Sequence, residues 1–510
     1  MDIITILAFA AAYVLSLVHF MHFFQLNSYA SVTQMRWMGK NRSKWTSVVL
    51  IFVLALIGFL VKPLAFFKPL FLALGAYVKR PQKAKKPLVY TKRVIRMLVC
   101  QAIITAIVIT LSAVFGGMKA TIFAMLVLYL VSPFMTIVSN FINKPVEKGV
   151  NNHFINEAKK ILKKCPELKI IGVTGSYGKT SVKYYLNTLL RTKYNVLMTP
   201  ESYNTPMGVV MTIRQKLKAT HEIFICEMGA KKVGEIKEIC DIVHPHHGVI
   251  TSIGPQHLET FKTLGNVKST KFELCDALPD DGLLFLNGDD ENVMGYNKRE
   301  NAISYSTKNG DYTAFDISVS EKGTAFSVKA PNGETGSFTT KLIGMHNVLN
   351  ITGAIAVSHT FGISFDSLKP QVRKLECVPH RLELLDKGNA LIIDDAYNSN
   401  PSGTKAALDT LSLITGFKIL VTPGMVELGA KEDECNFEFG KNASKVCDYV
   451  VLVGRRQTES IKRGLEAGGY PENKIFVADT IGEALQKAYA VDTDNQKRII
   501  LLENDLPDNY

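Results

Sequence analysis

The stretch Ile170–Lys183, with the sequence IIGVTGSYGKTSVK, decides how the middle of this 510-residue chain is interpreted. It predicts a buried strand over Leu168–Val173, a glycine turn, and a helix that begins near Lys179. The N–H groups of such a turn, with the positive end of the helix, bind phosphate. The common phosphate-loop pattern has glycine at the position of Val173, so the loop here is the shorter Gly175-Ser176-Tyr177-Gly178-Lys179-Thr180. The alternative is a turn whose glycines only permit tight packing.

Basic residues are concentrated at the beginning of the chain. Positions 1–150 hold 17 Lys and Arg and two acids, Asp2 and Glu147, whereas the rest holds 42 basic and 44 acidic residues. A nucleic-acid-binding protein usually carries its basic patch on a folded polar domain. Here the excess lies among apolar runs, which indicates a membrane and no nucleic-acid partner. The eight cysteines form no C-x-x-C pair, which is typical of a reducing compartment.

Several apolar runs precede residue 143. Ile3–Phe24 has no charged residue, is about long enough to span a bilayer and lacks a small-residue cleavage site, so it predicts a retained helix. The next run, from Ser47, continues through Lys62-Pro63 to Val78 and is expected to form a bent hairpin. A second hairpin is expected from the last two runs, Val94–Phe115 and Lys119–Ile142, which Gly116-Gly117-Met118 separates.

The loops between these runs predict their orientation. Four basic residues lie between 36 and 44, namely Arg36, Lys40, Arg42 and Lys44, and seven more lie between 79 and 93. Both loops are expected in the cytoplasm. The prediction is a multi-pass protein of the cytoplasmic (inner) membrane with five crossings, its N-terminus outside and its catalytic domains in the cytoplasm. Three crossings with a re-entrant hairpin are the alternative, because the second half of the first hairpin is short.

From about Asn151 the composition is that of an α/β protein with a doubly wound sheet. Further buried strands are predicted at Ile223–Cys226 and at Gly248–Ile253. Glu227 directly follows the first strand, and His257 comes shortly after the second. A carboxylate at the carboxyl end of a strand faces the ligand crevice of such a sheet. Lys271 comes fourteen residues after His257. A lone histidine is more often structural and a helix lysine is usually solvated, so these patterns alone leave both roles open.

The motifs from the phosphate loop onward occur in a recognisable order. They are TGSYGKTS (174–181), EMGA (227–230), TSIGPQHLE (251–259), Lys271, LNGDD (286–290), GMHNVLN (344–350), PHRLE (379–383), DDAYNSNP (394–401) and GMVELG (424–429). Together they resemble the Mur ligase family, the ATP-dependent amide-bond ligases of cell-wall peptide synthesis. The resemblance covers roughly residues 165–430. The segments YNSNP and MVELG are most similar to the branch that joins D-alanyl-D-alanine to a tripeptide precursor.

The resemblance implies roles for residues of the central domain. Glu227 and His257 would each bind Mg²⁺, together with Thr180, and two metal sites are expected. Lys271 matches a lysine that the family carbamylates, and the resulting carboxylate would be a further ligand. Asn350 would approach the nucleotide. The ATP phosphates would be held by the loop residues Gly175, Ser176, Tyr177, Gly178, Lys179, Thr180 and Ser181. For Asn287, Asp289 and Asp290 of the LNGDD motif, a role in the site and a purely structural role in a turn both remain open.

A second, smaller Rossmann-like sheet is predicted from about Leu375, with strands at 391–393, 418–421, 449–453, 474–477 and 498–502. In the family this domain closes over ATP. The resemblance implies that Arg381 reaches the phosphates, that Asp395 contacts the nucleoside, and that the amine-donor side is lined by Tyr397, Asn398 and Asn400. Two departures leave the amine donor open. Gly424 replaces an acid of the relatives, and Glu503-Asn504-Asp505 replaces a Lys-Gly-Ser segment.

The predicted domains are a transmembrane region at 1–142, a linker at 143–167, an ATP-binding central domain at 168–374 and a C-terminal domain at 375–510. Soluble Mur ligases carry an N-terminal domain for the uridine nucleotide of the acceptor, and the roughly 25 residues after Ile142 are too few for one. The acceptor is therefore expected to be a peptide-bearing cell-wall precursor confined at the membrane, and a lipid-linked form is the hypothesis. A zinc site is not predicted from Asp241, His244, His246 and His247, because Pro245 interrupts them and the run leads into a strand.

The predicted reaction is ATP-dependent ligation through an acyl phosphate, attacked by the amine of a small amino acid or dipeptide, with Lys179, Lys271, His257 and Arg381 as the catalytic residues. A membrane-associated polyglutamate-type ligase is the first alternative and differs in its amine donor. The second alternative is an ATP-driven transporter or sensor. The apolar runs contain few interior charges, so they provide no polar pathway for transport.

Overall fold

The computed structural model of the protein describes residues 2–80, 86–201, 203–397 and 399–505. The chain divides between His153 and Phe154 into two compact units. The first is built of helices, and the second is an α/β unit with two separate sheets. The division lies within a helix that ends at Leu162, so most of the predicted linker, 143–167, is helical.

The described residues of the first unit form a 3₁₀ helix at Lys62–Phe67 and the α-helices α1 (Asp2–Leu26), α2 (Ser31–Lys40), α3 (Arg42–Leu60), α4 (Lys68–Val78) and α5 (Lys92–Leu162). Gly117 interrupts α5 with φ 65° and ψ −167°, a conformation that glycine adopts without steric cost. The break separates the two apolar runs where the sequence predicts it.

The two arms of α5 lie against each other as a hairpin. Gln101 Nε2 donates to Ser139 Oγ over 2.9 Å, and Arg93 Nη2 donates to Asn140 Oδ1 over 3.0 Å. Further along the same seam, the side chain of Arg96 is paired with Glu147. The hairpin predicted from the last two apolar runs is therefore present.

Two helices among the described residues are long and apolar enough to cross a bilayer, Ile3–Leu26 and Lys92–Leu162. Core helices of soluble proteins and signal sequences satisfy the same criteria. In the most apolar stretch of α5, however, only 6% is buried within the protein. Phe115, for example, is 83% exposed. Helix α4 has 11 residues and rises about 17 Å, which is roughly half of a bilayer core.

The central part of the second unit alternates strands and helices. The strands are β1 (Lys169–Thr174), β2 (Val196–Met198), β3 (Ile223–Glu227), β4 (His247–Ile250), β5 (Leu284–Asn287), β6 (Ile303–Ser306), β7 (Tyr312–Ser320), β8 (Gly323–Lys329) and β9 (Thr335–Thr340). The helices are α6 (Lys179–Leu190), α7 (Pro206–Lys216), α8 (Glu235–Val243), α9 (Leu258–Phe261), α10 (Leu264–Asp276), α11 (Glu291–Met294), α12 (Met345–Thr360) and α13 (Phe365–Arg373).

These strands form one sheet in the order β2-β3-β1-β4-β5-β6-β7-β8-β9, parallel from β2 to β7 and antiparallel thereafter. Apolar clusters cover both faces, and β1 is buried along all but its first residue. This explains the continuous apolar run that marks the strand in the sequence. Because β3, β1 and β4 are neighbours and parallel, the segments that follow them emerge at the same edge of the sheet.

The predicted central strands are confirmed to within one residue, except that Gly248–Ile253 is corrected. The strand ends at Ile250. Thr251 and Ser252 turn toward the phosphate loop instead, where Ser252 forms an isolated bridge with Tyr177. The apolar pattern continues past the strand because Ile253 is buried in the loop that follows.

The C-terminal part forms a sheet in the order β10-β11-β15-β12-β13-β14, with β10 antiparallel and the other strands parallel. Its strands are β10 (Glu383–Asp386), β11 (Ala390–Asp395), β12 (Phe417–Thr422), β13 (Tyr449–Val453), β14 (Ile475–Ala478) and β15 (Arg498–Glu503). Its helices are α14 (Pro401–Ser412), α15 (Glu432–Ala443), α16 (Glu459–Ala467) and α17 (Ile481–Ala490), with 3₁₀ helices at Gly429–Lys431 and Glu472–Lys474. The predicted Rossmann-like second sheet is confirmed, with all five predicted strands present within two residues.

Candidate nucleotide and metal site

The phosphate loop connects β1 to α6 and needs two of its glycines. Gly175 has φ 147°, and a Cβ there would lie 2.1 Å from Thr251 Oγ1. Gly178 has φ 79°, and a Cβ there would lie 2.8 Å from Asn350 Oδ1. A side chain would therefore displace the loop that follows β4 or the helix α12. The second contact places Asn350 beside the loop, and its approach to the nucleotide stays a prediction.

The side chains of Ser176 and Tyr177 brace the loop. Ser176 Oγ donates to the carbonyl of Gly254 over 3.1 Å, and the Tyr177 hydroxyl donates to the carbonyl of Pro255 over 3.1 Å. Both partners belong to the segment that follows β4. These two side chains hold the loop in shape, and phosphate binding by the backbone N–H groups of Ser176 and Tyr177 stays a prediction. Ser181 lies in the first turn of α6, beside this loop.

Lys179 folds over the loop. Its Nζ donates to the carbonyl of Ser176 over 3.0 Å. Burial lowers the pKa of Lys179 to about 8; Glu227 acts to raise it, and Arg381 acts to lower it further. An anion bound in the loop would stabilise the ammonium form of this lysine.

Glu227, at the carboxyl end of β3, forms the centre of a buried polar cluster. Its Oε1 accepts from Thr180 Oγ1 and from Asn204 Nδ2, each over 3.1 Å. Its Oε2 lies 2.9 Å from Nζ of Lys183. Burial by itself raises the pKa of Glu227, but Lys183 and Lys179 outweigh it and the net shift is downward. An ionised carboxylate beside a hydroxyl is a donor set that fits Mg²⁺.

Sequence reasoning missed Lys183. Its side chain is fully buried and pairs with Glu227, and its Nζ also donates to the carbonyl of Glu201 over 2.5 Å. The available signal was its spacing, since it follows Lys179 by four residues on α6 and so lies on the same helix face.

We expect Lys183→Met to lower the free energy of unfolding by about 3–5 kcal/mol, because it leaves the carboxylate of Glu227 buried without its partner. The measurement is chemical denaturation of the detergent-solubilised protein. The exposed lysine Lys216 supplies the control, and Lys216→Met should change stability by less than about 0.5 kcal/mol. Equal stability of Lys183→Met and wild type would show that the buried pair is not required.

His257 and Lys271 both lie after β4, the first in the loop before α9 and the second on α10. His257 has φ 51° and precedes α9, and its Nδ1 lies 2.6 Å from Oε2 of Glu427. Lys271 is buried on α10, and no described residue forms a hydrogen bond or ion pair with its Nζ. Burial, and secondarily Lys179, lowers its pKa well below the ordinary value of a lysine. Glu427 was not assigned a role from the sequence, although the GMVELG segment contains it.

The C-terminal sheet contributes Arg381 and Asp395. The Arg381 guanidinium lies 4.5 Å from the ring centroid of Tyr397, which is about half exposed. Asp395 Oδ1 accepts from the N–H of Leu382 over 3.2 Å. Burial raises the pKa of Asp395 to about 6, although the Arg381 guanidinium acts to lower it.

Of the three residues predicted on the amine-donor side, Tyr397 faces solvent and Asn398 lies outside the described residues. Asn400 is buried, and its Oδ1 accepts from the N–H of Gly403 over 2.8 Å as the N-cap of α14. This capping role accounts for an asparagine at the position before Pro401 even when no ligand is bound. The sequence did not predict this local role of Asn400.

The two departures from the family pattern contact each other. Asn504 Nδ2 donates to the carbonyl of Gly424 over 2.6 Å, and Gly424 has φ 82°. The preceding Glu503 accepts from Ser399 Oγ over 2.7 Å. Residues 503 and 504 therefore join the loops after β11, β12 and β15 at the carboxyl edge of the second sheet.

The remaining candidates have structural partners. Asp290 caps α11 and also accepts from the N–H of Ile253. Asp289 accepts from the N–H of Thr307, and Asn287 Nδ2 donates to Ser252 Oγ. These three residues therefore shape turns. In the histidine cluster, Nδ1 of His246 accepts from the N–H of Ile170 and Nδ1 of His247 from that of Leu283, each over 3.1 Å.

The fold and site define a phosphate-loop α/β protein with a second α/β domain that contacts the segment after β4. Comparisons with known proteins identify the family. The family models for the Mur ligase middle domain and for the Mur ligase glutamate ligase domain match residues 173–358 and 380–502. The UDP-N-acetylmuramoyl-tripeptide–D-alanyl-D-alanine ligase of Buchnera aphidicola from Acyrthosiphon pisum is 32% identical over 309 residues, which cover 59% of this chain and 68% of the relative. The chain belongs to the Mur ligase family.

Two further relatives define how far the similarity extends. The enzyme of the same name from Escherichia coli K12 is 31% identical over 295 residues, covering 56% of this chain. The chain spans 65% of that relative, slightly less than two thirds of its length. The crystal structure of the MurF ligase of Thermotoga maritima in complex with ADP superposes with a TM-score of 0.62 at 26% identity, covering 70% of this chain and 80% of that one.

Proposed function

We propose that this chain is an ATP-dependent carboxylate–amine ligase that forms an amide bond through an acyl phosphate and releases ADP and phosphate. The observation that supports it most directly is the phosphate loop under Lys179, with the ionised carboxylate of Glu227 hydrogen-bonded to Thr180 at the adjacent strand end. Nucleotide binding is further supported by the ADP complex of the Thermotoga maritima relative.

In this mechanism the residues of the site bind the phosphate groups and stabilise their negative charge. The loop N–H groups and Lys179 would stabilise the negative charge on the transferring phosphoryl group, and Arg381 would add to this from the C-terminal domain. Mg²⁺ held by Thr180, Glu227 and His257 would neutralise phosphate charge and polarise the transferring group. The acyl phosphate then provides phosphate as a good leaving group for attack by the amine. No side-chain nucleophile is needed.

We propose a peptide-bearing cell-wall precursor as the acceptor, because the relatives are named for a tripeptide precursor. D-Alanyl-D-alanine is the first candidate for the amine donor for the same reason. The contact between Asn504 and Gly424 occupies the positions that differ from the family pattern, so a different small amino acid or dipeptide is the second candidate.

We further propose that the first unit anchors the enzyme in the cytoplasmic membrane. The exposed apolar surface of α5 supports this, since soluble proteins rarely expose such contiguous apolar patches. The shortness of α4 favours the arrangement with three crossings and a re-entrant hairpin. An enzyme anchored in this way would encounter a lipid-linked acceptor at raised effective concentration.

Cysteine-accessibility labelling in intact cells tests the topology. We expect cysteines introduced at Arg36 and Arg80 to be shielded and one introduced at Asp2, before the first span, to react with an impermeant reagent, because both basic loops are expected in the cytoplasm. The same positions should all react after permeabilisation, which controls for burial. Labelling at Arg80 in intact cells would reverse the orientation.

Product mass spectrometry with the full-length protein and ATP tests the reaction. The acceptors compared are a uridine-nucleotide and a lipid-linked tripeptide precursor, each with a panel of amines that includes D-alanyl-D-alanine and L-glutamate. We expect an amide product with one ADP formed per bond, and more of it from the lipid-linked acceptor. Preference for the soluble acceptor would refute the membrane-confined substrate, whereas ATP hydrolysis without any amide product would refute the ligase.

A further inference from the structure

Glu427 and His257 make a direct contact between the two α/β domains of the second unit. Glu427 lies in the loop between β12 and α15, and His257 lies in the loop between β4 and α9, 170 positions earlier. Their side chains meet at 2.6 Å between Oε2 and Nδ1. Both residues have positive φ, 64° and 51°, which side-chain-bearing residues rarely adopt. The backbone on each side is thus held in a less favourable conformation where the two loops meet.

The contact determines which nitrogen of the imidazole is available. A carboxylate only accepts hydrogen bonds, so Nδ1 of His257 must carry the proton that is shared with Glu427. Nε2, on the other side of the ring, is the nitrogen left for a ligand, and no described residue forms a hydrogen bond with it. Lys231 Nζ lies 3.7 Å from Oε1, the second oxygen of Glu427, so both oxygens of this carboxylate have a partner.

We propose that Glu427 is a positioning residue: it orients His257 so that Nε2 ligates the divalent cation, and the contact between the two domains thereby raises cation affinity. The inference rests on the proposed ligase function, in which His257 is a cation ligand. A histidine that ligates a metal commonly donates its other N–H to a carboxylate, and losing that carboxylate typically costs 10- to 100-fold in metal affinity. Here the carboxylate comes from a different domain, so the cation site is complete only when the domains are in contact.

The test is Mn²⁺ binding to the full-length, detergent-solubilised protein, followed by the electron paramagnetic resonance signal of free Mn²⁺. We expect Glu427→Gln and Glu427→Asp each to weaken Mn²⁺ binding by about 10- to 100-fold, at a site whose affinity His257→Ala also lowers but does not abolish. The first removes the charge, and the second keeps the charge but is one methylene too short to reach His257. Glu434→Gln removes an exposed carboxylate from the same domain and should change the affinity by less than about twofold.

A double-mutant cycle separates positioning from general electrostatics. If Glu427 acts through His257, Glu427→Gln should have no further effect on Mn²⁺ affinity in the His257→Ala background. An equal loss in both backgrounds would overturn the proposal, as would unchanged affinity in Glu427→Gln or Glu427→Asp. Unchanged Mn²⁺ binding in His257→Ala would instead refute the cation role of His257. Nucleotide binding, measured on the same samples with a fluorescent ATP analogue, tests the proposed ATP site separately.

Discussion

Lys179→Ala is expected to lower the rate of ADP formation by about 10²–10³-fold, the loss typical when a group that stabilises transition-state charge is removed. The ammonium lies over the loop, where its Nζ contacts the carbonyl of Ser176 and no other cationic side chain is hydrogen-bonded to the described loop. ATP affinity should fall as well, because the same charge acts on the bound nucleotide. The measurement is coupled detection of ADP with acceptor and amine present.

The control for this prediction is Lys216→Ala, which removes an exposed lysine on α7 and should retain full activity. A thermal unfolding curve confirms that the Lys179→Ala protein is folded. Wild-type turnover by a folded Lys179→Ala variant would show that the loop does not act on the transferred phosphate.

Lys271→Arg is expected to lower the rate by about 100-fold or more. Lys271 is buried without a hydrogen-bond or ion-pair partner among the described residues, and burial favours its neutral amine, the form that reacts with carbon dioxide. The carbamate would be an anionic oxygen ligand for the cation. A guanidinium cannot form a carbamate, so arginine should not restore activity although it keeps the positive charge of lysine.

Carbon dioxide provides the independent measurement. Wild-type activity should fall when carbon dioxide and bicarbonate are removed and should return when they are restored, and ¹³C-labelled carbon dioxide should give a carbamate signal that Lys271→Arg lacks. Lys268→Arg on the same helix α10 is the matched control and should behave as wild type. Full activity of Lys271→Arg would show that no carbamate is needed.

The sequence alone predicted the elements with strong local patterns. The strand β1 could be read from a continuous apolar run, because a strand covered by helices on both faces needs apolar residues at every position. The phosphate loop could be read from Gly175 and Gly178, because both positions require a backbone conformation that glycine adopts most easily. Glu227 could be placed in the crevice because it ends a buried strand. The break at Gly117 followed from the paired glycines between two apolar runs.

Only the tertiary structure decided which distant side chains complete the site. Glu427 contacts His257 across 170 positions, and Asn504 contacts Gly424 across 80, and no periodicity within either segment encodes such a contact. Ser176 and Tyr177 occur inside the phosphate motif, but their hydrogen bonds to the segment after β4 give them a bracing role. Local patterns determine where strands, turns and helices form, because they act through backbone geometry and burial. The partner of each polar side chain is determined by how the sheet edges and loops come together, because that decides which groups must satisfy one another away from water.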